Sequence, residues 1–260
     1  VNITSGDLDL FAGSYSVGKY VISAGARLYL SGSSAHTFEK ASVTGVGTVV
    51  LDRRALVVIE NTVTMSNLTD VADLGSARIS GPGTLVITGT YNWSGGTWQG
   101  LTVQINGNLI LGNVPPSVYV MQGSTLQNNG IVTWKSGKEI KLAGGATITN
   151  ARGALFQIQT SGTILGGKDG SFTNQAGGVV AMSNVPGTAK IDVPLTNKGR
   201  IDLNKATLKV PKNTVKGNVT EENGGKLNVD GYLDFQSGSI TTANGGEVFG
   251  DVVNTGGELD

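Results

Sequence analysis

Residues 80–112 read SGPGTLVITGTYNWSGGTWQGLTVQINGNLILG, and the fold is decided by how that stretch is parsed. Short apolar alternations are parted by one or two glycines, and the phrase returns downstream. Gly83-Thr-Leu-Val-Ile is followed by Gly107-Asn-Leu-Ile-Leu and, far along the chain, by Gly225-Lys-Leu-Asn-Val. A two-residue apolar period places the large side chains on one face of a strand. The glycine ahead of each strand is free to take positive φ and so to supply a sharp corner.

Working outward, the composition suits strands and tight turns. Forty glycines accompany only six prolines with no three-residue period, which excludes collagen. A hydrophobic share of 38% excludes a disordered tail, and the 15% charged share leaves Ser, Thr, Asn and Gly at the polar positions. Nineteen basic residues balance nineteen acidic ones, so no basic stripe marks a nucleic-acid binder. The adjacent pair Arg53-Arg54 reads as a solvated turn. With no cysteine there are no disulfides and no thiolate chemistry, and no run of about 18 apolar residues predicts membrane insertion. The chain starts at Val1 rather than Met, which predicts a processed protein or a fragment.

Residues 1–80 are the less regular part, expected to form irregular coils or a cap with lateral loops. Within them 35–41 reads as a short helical turn or loop, and 67–75 as the best helix candidate, about two turns long. Residues 81–260 read as regular coils, with strand candidates roughly every 8–12 residues or less. That rhythm fits an antiparallel sandwich or a solenoid. The shared phrase, the short glycine-rich turns and the recurrence of Asn at corners favour the solenoid. Those asparagines are Asn106, Asn129, Asn150, Asn174, Asn197, Asn223 and Asn244, spaced 21 to 26 residues apart. Stacked Asn side chains hydrogen-bond along a cross-β axis. The expectation is an all-β, single-stranded, right-handed parallel β-helix of about 12 coils, a rod of roughly 55 Å at the usual strand spacing. Its C-terminal end shows no cap, so the chain is expected to belong to a longer protein or to stack on a neighbour.

Gly83-Thr-Leu-Val-Ile-Thr-Gly-Thr-Tyr-Asn-Trp-Ser-Gly-Gly-Thr-Trp resembles the T-W-S-G-G-T repeats of very large secreted bacterial surface proteins. Phe172-Thr-Asn-Gln-Ala-Gly-Gly-Val-Val and Leu195-Thr-Asn-Lys-Gly-Arg-Ile-Asp-Leu resemble their F-x-N-x-G phrase. The resemblance covers roughly residues 80–260. It implies an adhesin-type parallel β-helix at the cell surface and carries no catalytic motif.

Enzymes exist on such rods, so carboxylate pairs matter; glycoside hydrolysis needs two within about 5–10 Å. Asp7 and Asp9 have strand spacing, Asp192 and Asp202 are ten apart, and Asp230 and Asp234 flank Gly231. A single histidine, His36, leaves no triad. Calcium has only Asp70 with Asp73, which read as turn or helix-end residues, and one Gly166-Gly-Lys-Asp-Gly fragment. Aromatics offer a binding site. Tyr91, Trp93, Trp98 and Trp134 either stack glycans from an outer face or pack inside, packing being the stronger reading. An ice-binding face needs stacked Thr-x-Thr triplets; Thr62-Val-Thr64 and Thr147-Ile-Thr149 are present but do not recur once per coil. Four sequons begin at Asn2, Asn67, Asn92 and Asn218.

The sequence therefore predicts a non-enzymatic, extracellular rod without cofactors: a spacer, adhesin segment or self-assembling subunit. Its expected partners are glycans or copies of itself, with neither nucleic acid nor membrane insertion. A carbohydrate-binding module is the alternative, ahead of a polysaccharide-active enzyme.

Overall fold

A computed structural model of the chain describes residues 1–52, 54–70, 77–112, 118–136, 139–166, 169–215, 218–222, 226–235, 239–243, 245–254 and 258–259. These residues contain strands and no helix. The chain is a parallel β-solenoid. In the stretch that decided the fold, Thr84–Ile87, Thr90–Trp93 and Gly96–Gln99 form three sides of one coil. Thr102–Ile105 then returns to pair in parallel with Thr84–Ile87.

Three ladders result. The first face runs from Asp7–Leu10 through Thr90–Trp93 to Glu258–Leu259 and has 13 strands, one per coil, so the coil number differs slightly from the expected 12. The second face begins at Ser14–Ser16 and includes Gly96–Gln99; the third begins at Asn2–Ile3, continues through Lys19–Ile22 and includes Thr84–Ile87. From Thr207–Val215 onward one long strand pairs with both ladders, Thr188–Asp192 below one half and Leu195–Asn197 below the other. The corner between second and third faces is there spanned by continuous strand, with register shifts at Pro211/Asn213 and Asn228/Tyr232 marking the site.

The core follows from parity. On the first face Leu8, Leu28, Val49, Leu68, Tyr91 and Leu109 are successive partners in one inward column, which continues through Val132 and Phe156. Steps along it range from 18 residues (Tyr91 to Leu109) to 24 (Val132 to Phe156). Columns of this kind merge into a single buried cluster that extends from Ile3 to Ile240. Each fully buried aliphatic or aromatic side chain contributes about 1.5–3 kcal/mol relative to exposure.

Two expectations about the first 80 residues are corrected. Ala35–Phe38 is a strand, because His36 and Phe38 alternate inward as core residues. Leu68–Asp70 is also a strand, where a helix was expected from residue 67 onward; the remainder, 71–76, lies outside the described residues.

The glycine corners work differently from expectation. Gly83, Gly107 and Gly130 do not have positive φ. A Cβ at Gly107 would lie 2.0 Å from the Gly89 carbonyl oxygen, and one at Gly130 would lie 2.1 Å from that of Gly107. Glycine is required there by close stacking of one coil's backbone on the next.

Candidate functional site

All four aromatic candidates are interior. Tyr91 and Trp93 are 1% exposed, and Trp98 and Trp134 are sealed at 0%. Strand parity explains it: Tyr91 and Trp93 continue inward columns, as do Val132 and Trp134. Trp93 and Trp98 stack face to face, centroids 3.7 Å apart, and Tyr119 meets Trp93 edge-on at 5.0 Å. Of the two readings of these rings, the stronger one, packing inside, is what the structure shows, and the alternative of an exposed glycan platform is corrected.

Beneath that stack lies a polar group that sequence parity alone did not flag. Asp70 occupies an inward position, above Leu51 in the column, and is 5% exposed. The Tyr91 hydroxyl donates to its carboxyl at 3.1 Å, and Ser94 Oγ donates to its backbone carbonyl at 3.2 Å. Burial pushes the Asp70 carboxyl up to about 8, partly offset by the Tyr91 hydrogen bond. Burial, and then the neighbouring Asp70 charge, pushes the Tyr91 phenol well up. Asp70 is therefore a core carboxyl closed to solvent rather than a turn residue or calcium ligand, and Asp73 lies outside the described residues.

The other carboxylates are engaged on the rod's surface. Arg27 grips Asp7 through both oxygens at 2.9 Å from the coil above, and Ser31 donates to Asp9. Lys190 pairs with Asp192 on the second face at 3.0 Å, and Arg200 with Asp202 on the first at 2.8 Å, so those two aspartates lie on different sides. The side chains of Asp230 and Asp234 lie outside the described residues. His36 is buried; its Nε2 donates to the Ser31 carbonyl, leaving Nδ1 to accept from Ser14 Oγ. Among the described residues no group of three or more His, Asp or Glu is placed to hold a metal ion. No described helix is long and apolar enough to cross a membrane.

The asparagines divide into two sets. Asn128, Asn150, Asn174 and Asn197 are fully buried in one column, and each Nδ2 donates to the next Oδ1 at 2.7–2.8 Å. The same amides donate to the carbonyls of Leu155, Val179 and Arg200, tying the third face to the first. Asn106 and Asn129 point outward and bond to each other at 3.0 Å, so Asn128 and not Asn129 belongs to the ladder. Asn223 and Asn244 lie outside the described residues. Of the sequons, Asn67 is committed to a corner, where its Oδ1 accepts from the Thr90 amide, and Asn92 donates to Thr69.

Two surfaces remain as binding candidates. One is a groove of about 540 Å³ near the N-terminal coils, lined by Phe11, Ala12, Gly32, Ser33, Asp52 and Arg54. Phe11 is 72% exposed there.

The other is the outer side of the third face. Thr62, Thr84, Thr102, Thr125, Thr147 and Ser171 are consecutive partners, one per coil. Beside them runs a second outward column, with Thr64, Thr149, Thr173 and Thr196 toward its ends. Val86, Gln104 and Gln127 fill its middle. From Ser42 to Thr196 this face presents no charged or aromatic side chain, whereas the first face carries Asp7, Arg27 and Arg200 and the second Arg78, Glu139 and Lys141. No protein-family model, curated protein or solved structure matches the chain.

Proposed function

We propose that the chain is a non-enzymatic, rigid rod segment that acts outside the cell as a surface spacer, an adhesin segment or a self-assembling subunit. The observation that carries this reading is the single core cluster running from Ile3 to Ile240 beneath parallel ladders. A rod built that way resists bending because every coil shares its core with the coils on either side. Engagement of Asp7, Asp192 and Asp202 in ion pairs supports a structural use of the carboxylates. The surface-protein style of the Trp-Ser-Gly-Gly-Thr phrase supports the location.

Pulling the two ends apart in a force microscope tests the rod. Resistance followed by steps of roughly 60–85 Å, the extended length of one coil, is expected. Smooth extension at low force, as for a flexible linker, would end this reading.

A second reading is favoured by the Phe11 groove, whose volume falls in the range of small-ligand sites. An exposed ring beside a carboxylate and a guanidinium suits a sugar, by stacking and hydrogen bonding. Glycan-array binding that Phe11→Ala abolishes would support it, and an array blank for the unaltered chain would remove it.

A further inference from the structure

The hydroxyl column on the third face was obscured in the sequence because its members are unevenly spaced. Thr62, Thr84, Thr102, Thr125 and Thr147 nonetheless stack in direct register, coil on coil. Complete Thr-x-Thr triplets do not recur once per coil, as expected, because Val86, Gln104 and Gln127 hold the second position in the middle coils; a single column of threonine does recur.

We propose that this face binds ice. Parallel pairing sets the backbone positions that carry these hydroxyls about 4.7–4.9 Å apart along the rod, and the second outward column lies about 6.6 Å away along each strand. That is a two-dimensional lattice, close in its repeat to the oxygen spacing of an ice surface. No register shift interrupts it between Thr62 and Asn174.

The side chains are held in place before any ligand arrives. Thr147 Oγ1 donates to Thr125 Oγ1 at 3.2 Å, while Gln104 and Gln127 donate to Asn106 and Asn129 at 3.0 Å. Threonine is also stiff at χ1, so little side-chain freedom remains to be lost on binding.

The chemistry of the face selects among occupants. An acidic or basic polymer would meet no opposite charge, and stacked sugar rings would find no aromatic platform. A protein partner would be expected to use apolar anchors, and Val86 is the only large apolar side chain in the two central columns. An ordered water lattice needs what is present: hydroxyls that donate and accept, methyls that fill the gaps between water molecules, and no ion to hold a disordered hydration shell.

The test uses the full chain, fluorescently labelled, at the surface of a slowly growing ice hemisphere. Uptake into the ice and slowed recrystallisation are expected. Thr125→Lys, and independently Thr102→Lys, should lower the ice-retained fraction by about tenfold, as for the loss of about 1.4 kcal/mol of attachment. Their circular dichroism and melting should be unchanged, and Thr133→Lys on the first face should retain full uptake. Thr125→Val keeps the side-chain shape and removes only the hydroxyl; it should lower retention too, so the test survives a lysine variant that misfolds. Exclusion of the unaltered chain from ice would overturn the proposal. So would uptake indifferent to Thr102 and Thr125, or binding through this face to an insoluble neutral polysaccharide in place of ice.

Discussion

At the scale of single residues, the solenoid's interior owes its specificity to a few polar groups set among aliphatic ones. Asn174 accepts from Asn150 and donates to Asn197, all three sealed from water. Asn174→Ala strands one donor and one acceptor, each costing about 1–3 kcal/mol. A loss of about 2–5 kcal/mol in denaturant titration is expected, against less than about 0.5 kcal/mol for outward Asn129→Ala. Equal effects at the two sites would show that the ladder is inconsequential. Asp70 makes the opposite kind of contribution. Its carboxyl titrates near 8 in the folded chain because it is buried, and at its ordinary 3.8 when unfolded. Between those values the folded state keeps a proton that the unfolded state has released, so stability falls as pH rises through that window. Asp70→Asn should flatten that decline and leave the chain more stable than the unaltered protein at pH 9, by several kcal/mol in order of magnitude. Unfolding midpoints measured between pH 4 and 9 give the answer; a midpoint that climbs over that range in the unaltered chain contradicts the assignment.

At the scale of strands and corners, much was legible because parity is local. The alternation of Leu85 with Ile87 and Val103 with Ile105 identifies the inward positions without any structure. The same count carried two residues on from Leu126 places Asn128 inside and Asn129 outside, and from Val132 it places Trp134 inside. Alignment between coils was not legible. Coil length varies from 18 to 24 residues, so Thr84 and Thr102 are partners at one spacing while Thr102 and Thr125 are partners at another. No fixed repeat in the sequence reveals such a column. Glycine was legible as a corner, with positive φ at Gly81, Gly100 and Gly145 among others, but at Gly83, Gly107 and Gly130 the reason is crowding between coils, and that can be tested. Gly130→Ala would put a Cβ 2.1 Å from a backbone oxygen that cannot yield without parting two coils. A cost of about 3 kcal/mol is expected. Gly145, with φ +78 and nothing within 4 Å of an added Cβ, has room for a side chain but an unfavourable backbone. Gly145→Ala should cost only about 1 kcal/mol. Thermal melting of the two variants separates crowding from backbone strain, and the reverse order of costs would refute the assignment.

At the scale of the whole molecule, coils that contact only their neighbours behave as units that can be removed, provided the columns stay aligned. Thr147 and Ser171 are register partners, and Asn150 and Asn174 are 24 residues apart in the same ladder. Deleting residues 147–170 therefore sets Ser171 where Thr147 was and Asn174 where Asn150 was. Asn128 then donates to Asn174, Phe172 takes the place of Ile148, and Val180 takes that of Phe156. Every inward position still receives an apolar residue or an amide with its partner. The shortened chain should fold to the same parallel sheet spectrum and melt in one cooperative step, at a lower temperature because one coil's share of the core is gone. Deleting 147–158 alone removes one strand of the third face and one of the first. The next strand, Thr163–Leu165, belongs to the second face and would arrive where a third-face strand is required. Its outward and inward residues would no longer meet their columns, and the coils beyond would lose their template. That chain should show exposed hydrophobic surface by dye binding and no cooperative melt. Equal behaviour of the two deletions, folded or unfolded, would mean that coil register does not govern how this rod assembles.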